Sequence, residues 1–247
     1  MPQHTDKAYE EELAQLRSHV LEMGGLVEEQ IAHAIRALIE RDESLARETM
    51  QRDHTVNRLD VEIDELCIKL LALRQPAARD LRLITTALKI TTDLERIGDL
   101  ASHTAERALE LSAELPIQPY IDLPRMADLA RGMVHQSLDA FVKEDAELAL
   151  AVCASDDPLD KLHAQLFREL LSFMVEDPTT ISRAMRLLFV SKALERIGDH
   201  ATNIAETVHY EITGEDMLGE RPKAVPGPGE EPTPTPHLPA SPDAAGD

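Results

Sequence analysis

The chain has 247 residues, a formal net charge of -21, 3% aromatic residues and no tryptophan. So large an excess of negative charge excludes a general nucleic-acid binder, which needs a basic footprint to neutralise phosphates, and the scarcity of rings excludes base-stacking platforms. The length suits one large or two small domains, with a core built from Leu, Ile, Val, Ala and Met.

The N-terminal stretch MPQHTDKAYEEELAQL carries no apolar signal region. No run approaches the roughly 18 apolar residues that span a bilayer, so membrane association is expected only through partners. Cys67 and Cys153 stand alone without metal-type spacing, which points to a reducing, cytoplasmic compartment. Helical periodicity begins with Leu13, Leu16, Val20, Met23, Val27, Ile31, Ala34 and Leu38. It resumes with Val56, Leu59, Ile63, Leu66, Leu70 and Leu73, and again with Leu81, Ile84, Leu88, Leu94, Ile97 and Ala101. Breaks fall at RDES (41–44), RQPA (74–77) and LPIQPY (115–120), with Pro76 suited to the first turn of a helix.

The second half repeats the plan. One helix is expected over Leu123–Val142, with Met126, Leu129, Met133, Leu138 and Phe141 facing inward. A second is expected from about Asp145 to Val175, and a third after EDPTT (176–180), where Asp177 caps and Pro178 enters the first turn. The predicted fold is all-α, with two tandem antiparallel three-helix bundles at 8–113 and 119–214. From 215 to 247 the chain is Pro-rich and acidic, and it reads as a disordered tail.

The most informative feature is a repeat. LERIGDLASHTAE (94–106) returns as LERIGDHATNIAE (194–206), identical at nine of thirteen positions. Each copy holds Glu-x-x-x-Asp around a glycine: Glu95, Gly98 and Asp99, then Glu195, Gly198 and Asp199. Residues four apart share a helix face, about 6 Å apart along the axis. Like charges there destabilise a helix by a few tenths of a kcal/mol, and the glycine costs about 1 kcal/mol relative to alanine.

Reflection about the turn near residue 75 sets Glu95 and Asp99 against Asp53 and Asn57 on the preceding helix. Reflection about residue 177 sets Glu195 and Asp199 against Asp156 and Asp160. Such oxygen clusters suit hard cations such as Mg²⁺, Mn²⁺, Ca²⁺ or iron. Asp60 and Asp64 continue the first acidic stripe; their counterparts are His163 and Phe167, so the second site is not an identical copy. Pro158 lies inside the second pair, where it removes a backbone donor and is able to kink the helix. The competing reading is a solvated acidic face, with Glu95 and Glu195 paired to arginines such as Arg96 and Arg196. His103 and His200 read as surface or supporting residues. Gly24, Gly25 and Gly98 read as close-packing glycines. Arg79 and Arg82 are expected to pair with Asp80 or with acids of the turn region.

The two LERIGD segments, MGGLVEEQI (23–31), IDELCIKLLALRQP (63–76) and RQPAARDLRLI (74–84) closely resemble the PhoU family, over about residues 8–214. That resemblance implies two three-helix bundles related by a pseudo-twofold. It implies metal clusters of iron, zinc, manganese or magnesium on Glu95, Asp99, Glu195 and Asp199, with the pairs Asp53/Asn57 and Asp156/Asp160 facing them; Asp60, from the stripe, is a further candidate ligand. It also implies a non-enzymatic negative regulator of phosphate uptake and of the phosphate-starvation (Pho regulon) response. The implied partners are the ATPase subunit of the phosphate ABC transporter, the phosphate-sensing histidine kinase and a second copy of the chain. From another class, a ferritin-like di-metal enzyme would need Glu-x-x-His on two helices. Only Glu206–His209 qualifies, its counterpart being Glu106 and Leu109.

Overall fold

The computed structural model describes residues 3–117 and 122–215, with side chains from Lys7 onward; the Pro-rich tail from 216 and the end of the 115–120 break lie outside the described residues. Its elements are α1 (Gln3–Glu40), α2 (Glu43–Arg74), α3 (Ala78–Ser112), α4 (Asp122–Lys143), α5 (Ala146–Ala154), α6 (Asp156–Glu176) and, after a 3-10 turn at Pro178–Thr180, α7 (Ile181–Thr213). Among the described residues there is no strand.

Sequence explains where the helices stop. Arg41 and Glu144 hold positive φ (57° and 51°) at the same place in each repeat. The next amides, of Asp42 and Asp145, donate back to the carbonyls of Ala37 and Ala140, closing the preceding helix in a Schellman turn. The same two aspartates then cap α2 and α5 by accepting from the amides of Leu45 and Leu148. Asp177 caps the 3-10 turn, accepting from the amide of Thr179 with Pro178 at its start, and not α7 itself, whose N-cap is Thr180 without a side-chain hydrogen bond. Pro76 differs from expectation. Gln75 ends α2 in the left-handed region and Ala77 is the N-cap of α3, so Pro76 stands before the helix.

The helix expected over Asp145–Val175 is two helices. α5 ends at Ala154 and α6 starts at Asp156, with Ser155 between them. The cause is Pro158: it cannot donate to the carbonyl four residues back, and its ring crowds that carbonyl, which belongs to Ala154. The break therefore falls before the acidic pair, and Asp156 opens α6.

Within each repeat the helices run up, down and up. Arg52 reaches Glu29 and Lys69 reaches Glu12, which sets α2 antiparallel to α1. The Tyr9 hydroxyl donates to Asp80, and Arg41 donates to the carbonyls of Ser112 and Glu114, which sets α3 parallel to α1. α4, α5–α6 and α7 repeat this plan. The halves meet through α3 and α7, antiparallel, and through α1 and α4. The two three-helix bundles thus share a four-helix centre of α1, α3, α7 and α4, with α2 flanking one side and α5–α6 the other.

The apolar stripes form the core, with two exceptions: Leu73 and Leu81 are exposed beside the α2–α3 turn. Gly24 permits a close crossing, because a β-carbon there would lie 2.1 Å from Leu138 Cδ1 of α4. Gly25 meets nothing within 4 Å and is not a packing glycine.

Candidate metal centre

The first acidic face is built from α2 and α3 with a contribution from α1. Gly98 removes the side chain that would separate them. A β-carbon at Gly98 would lie 3.3 Å from Gln30 Oε1 and Val56 Cγ1, and 3.6 Å from Asp53 Oδ1. Asp53 accepts a hydrogen bond from Asn57 Nδ2 at 3.2 Å, so the facing pair is coupled along its own helix. Its other oxygen, Oδ1, is buried with no hydrogen-bond partner among the described residues.

The facing carboxylates also couple electrostatically. Burial, and then the Asp99 carboxylate, raise the pKa of Asp53. Glu95 is raised by burial and then by Asp99, with Asp60 and Asp53 adding to the shift and Arg96 opposing it. Asp60 is raised by burial and by Asp64. Arg96 reaches Glu95 at 3.6 Å and Asp99 at 3.7 Å from the same helix, along the exposed rim. Two helices therefore crowd like charges that one peripheral guanidinium only partly offsets.

The second face follows the same plan with different chemistry. A β-carbon at Gly198 would meet Leu159 Cδ2 at 2.5 Å, Asp156 Oδ1 at 3.3 Å and Met133 Sδ at 3.6 Å. Met133, Leu159 and Asp156 stand where Gln30, Val56 and Asp53 stand in the first repeat. Glu195 pairs with Lys192, whose Nζ lies 2.7 Å from Oε1 and 2.6 Å from Oε2, and not with Arg196 as the solvated-face reading had it. Asp160 is raised by burial, then by Glu195 and Asp199. His163, in the place of Asp60, turns Nδ1 to Ser191 Oγ at 2.6 Å, and burial lowers its pKa.

The expected residues are thus brought together in two groups: Asp53, Asn57, Asp60, Glu95 and Asp99, and Asp156, Asp160, Glu195 and Asp199. Among the described residues no three carboxylates, imidazoles or thiolates converge on a single ion position. Two participants are new. Gln30 breaks the apolar stripe of α1, and its polar side chain among core neighbours was the available signal. Lys192 sits one turn before Glu195, a spacing that predicts pairing.

The remaining candidates are structural. His200 Nδ1 lies 2.8 Å from Asp93 Oδ1, joining α7 to α3 beside both faces. His103 is exposed near Asp53. Arg79 pairs with Glu144 of the other repeat, Arg82 donates to the carbonyl of Glu211, and Asp80 is taken by Tyr9, so the expected Arg79/Arg82–Asp80 pairing is replaced by contacts between repeats. His209 Nδ1 lies 3.4 Å from Thr213 Oγ1 on its own helix.

Comparison with known proteins agrees with this architecture. A family model described as the PhoU domain matches residues 20–108 and 123–208. A phosphate-specific transport system accessory protein PhoU homolog from Caulobacter vibrioides is 45% identical over 224 residues, covering 90% of this chain and 97% of that protein. The homolog of the same description from Pseudomonas aeruginosa is 44% identical, covering 87% and 89%. The crystal structure of PhoU from Pseudomonas aeruginosa superposes with a TM-score of 0.80 at 45% identity, covering 84% of this chain and 100% of the other. That of the phosphate transport system regulatory protein PhoU from Streptococcus pneumoniae gives 0.78 at 30% identity, covering 85% and 99%. With two copies of the domain, each built round its own glycine and acidic pair, the chain belongs to the PhoU family.

Proposed function

We propose that this chain is a non-enzymatic accessory protein of phosphate-specific transport, a homodimer that restrains phosphate uptake and the phosphate-starvation response. In this reading it acts in the cytoplasm as a helical adaptor between the ATPase subunit of the phosphate transporter and the phosphate-sensing histidine kinase. It reaches the membrane through those partners; no described helix is long and apolar enough to cross one. The relatives' names support the transport role.

The observation that carries the metal part of the reading is the orphaned Asp53 Oδ1 beside Gly98, facing Gln30 and the Glu95/Asp99 pair. A hard cation fits an all-oxygen set of that kind. Asp53, Asp60, Glu95 and Asp99, which do not converge on one ion position as they stand, would close in to hold it in the first repeat, with Asn57 as a neutral oxygen donor. Asp156, Asp160, Glu195 and Asp199 would do so in the second once Lys192 swings away. Iron, manganese, magnesium or zinc would supply charge neutralisation there, stiffening the α2–α3 and α6–α7 pairs.

Full-length protein purified without chelator tests this. Stoichiometric metal that falls in Asp53→Ala/Asp99→Ala and in Asp156→Ala/Asp199→Ala supports the sites; no metal, with variants no less stable than wild type, would sink them. The adaptor role is tested separately by binding to the transporter ATPase and to the kinase. It fails if neither is retained.

A further inference from the structure

The α6–α7 hairpin exposes six large apolar side chains in two matched rows. Phe167, Leu171 and Val175 lie on α6 at four-residue steps, and Phe189, Met185 and Ile181 answer them level for level on α7. All are exposed, from 39% for Met185 to 76% for Val175. Met174 and Leu188, half-buried, pack against the core beneath. The fold does not require this. At the equivalent places the α2–α3 hairpin carries Asp64, Ile68, Ala72, Leu81, Thr85 and Lys89. The first repeat exposes Ile68 and Leu81 at these places, but Asp64, Thr85 and Lys89 interrupt them, so the unbroken six-residue apolar face belongs to the second repeat, on a chain whose net charge is -21.

We propose that this face is where two copies of the chain meet, about a twofold axis that crosses α6 and α7 at the level of Leu171 and Met185. The inference rests on the homodimer of the reading above and supplies its surface. Three observations favour a second copy. The first is area. Six large apolar side chains, each between 39% and 76% exposed, make a patch on the scale of the ~300–600 Å² that the largest apolar patch on a typical monomer reaches. One such patch from each copy, with its polar rim, matches the scale of a specific interface, about 1,200 Å² or more in total. The second is shape. Rotation about that axis lays α6 antiparallel on its own copy, setting each Phe167 over a Val175 and each Phe189 over an Ile181, large against small, with Leu171 and Met185 at the axis.

The third is charge. Arg168 flanks the two-phenylalanine end of the face and Glu176 flanks the turn end, while Lys192 is already paired with Glu195. Antiparallel pairing brings Arg168 of one copy onto Glu176 of the other, twice. Parallel pairing would set like charges together at both ends.

Sedimentation equilibrium of the full chain tests the proposal. Wild type should run at twice its 27.4 kDa. Leu171→Glu should be monomeric at the same concentration, with an unchanged helical circular dichroism spectrum. Arg168→Glu alone should weaken the dimer about tenfold, and Arg168→Glu with Glu176→Arg should restore it to within about threefold, because the reversed charges meet across the axis. A dimer unaffected by Leu171→Glu overturns the assignment of the face and leaves the homodimer standing. Failure of the double reversal to rescue overturns the antiparallel register. A wild-type chain that stays monomeric at about 100 µM, well above the Kd of a specific dimer, overturns both, whatever other protein or vesicle the face takes up.

Discussion

Gln30 and Met133 hold the same position in the two repeats: Gln30 Oε1 lies 3.3 Å from where a β-carbon on Gly98 would stand, and Met133 Sδ lies 3.6 Å from the same point on Gly198. One acidic face has an amide at its floor and the other a thioether. Both polar atoms of Gln30 are buried without a hydrogen-bond partner among the described residues. A buried unsatisfied amide costs about 1–3 kcal/mol. Gln30→Met, nearly equal in volume, is therefore expected to raise the melting temperature of chelator-treated protein by several degrees while lowering metal affinity at the first site. Calorimetry with and without chelator checks both halves. A lower Tm in chelator would show that the amide is satisfied.

Lys192 occupies Glu195 in the second face, and Thr92 stands at its counterpart in the first. A divalent ion must displace that ammonium or share the carboxylate with it. Lys192→Gln should raise second-site affinity for Mn²⁺ about threefold to tenfold, the scale of a partly exposed ion pair. Titration calorimetry on the full chain resolves this, and unchanged affinity would mean that Glu195 is not a ligand.

Two adjacent glycines should respond in opposite directions. Gly24→Ala drives a β-carbon to 2.1 Å from Leu138 Cδ1, forcing that side chain off its rotamer. The expected loss is about 1–3 kcal/mol, despite the roughly 1 kcal/mol that alanine gains in helix propensity. Gly25→Ala meets nothing and should gain up to about 1 kcal/mol. Urea denaturation of the pair gives the comparison, and equal effects would rule out the close α1–α4 crossing.

Glu211 makes stability depend on pH. Burial pushes its pKa up to about 7; Arg17, Arg79 and Arg82 pull it down and Glu144 pushes it up. The folded pKa lies above the unfolded one, so folding favours the protonated acid. That contribution is complete below the unfolded value near 4.5 and is lost as pH rises through about 7. Glu211→Gln should therefore match wild type at pH 4.5 and exceed it at pH 8 by about 1–2 kcal/mol, after discounting for partial solvent access. If the difference between the two proteins does not grow from pH 5 to 8, the carboxyl is charged in the fold.

Much of this was legible from the residues. Three- and four-residue apolar spacing located the helices, and reflection about two turns matched the acidic pairs, because antiparallel helices of equal rise keep their levels. The break at Ser155 was only half visible. Pro158 signalled a disturbance, but the lost hydrogen bond and the crowding fall four residues upstream, where the helix actually stops. Leu73 and Leu81 continue their stripes in sequence, yet beside the α2–α3 turn both side chains stay exposed. Gln30 was passed over because the apolar stripe of α1 was read through it; its importance depends on what α3 places opposite. The contacts of Arg79 and Arg82 cross between repeats, and nothing local to their segment names Glu144 or Glu211.

The α3–α7 seam bears on how such a chain arises. A single repeat would present that flank to water and could cover it only by pairing with its like. Joined in one polypeptide, the two halves are held together at fixed stoichiometry, and each is released from having to match itself. The two halves are then free to differ, one with an amide at its floor and the other with a thioether and a lysine. Covalent linkage thus turns an obligatory symmetry into a division of labour.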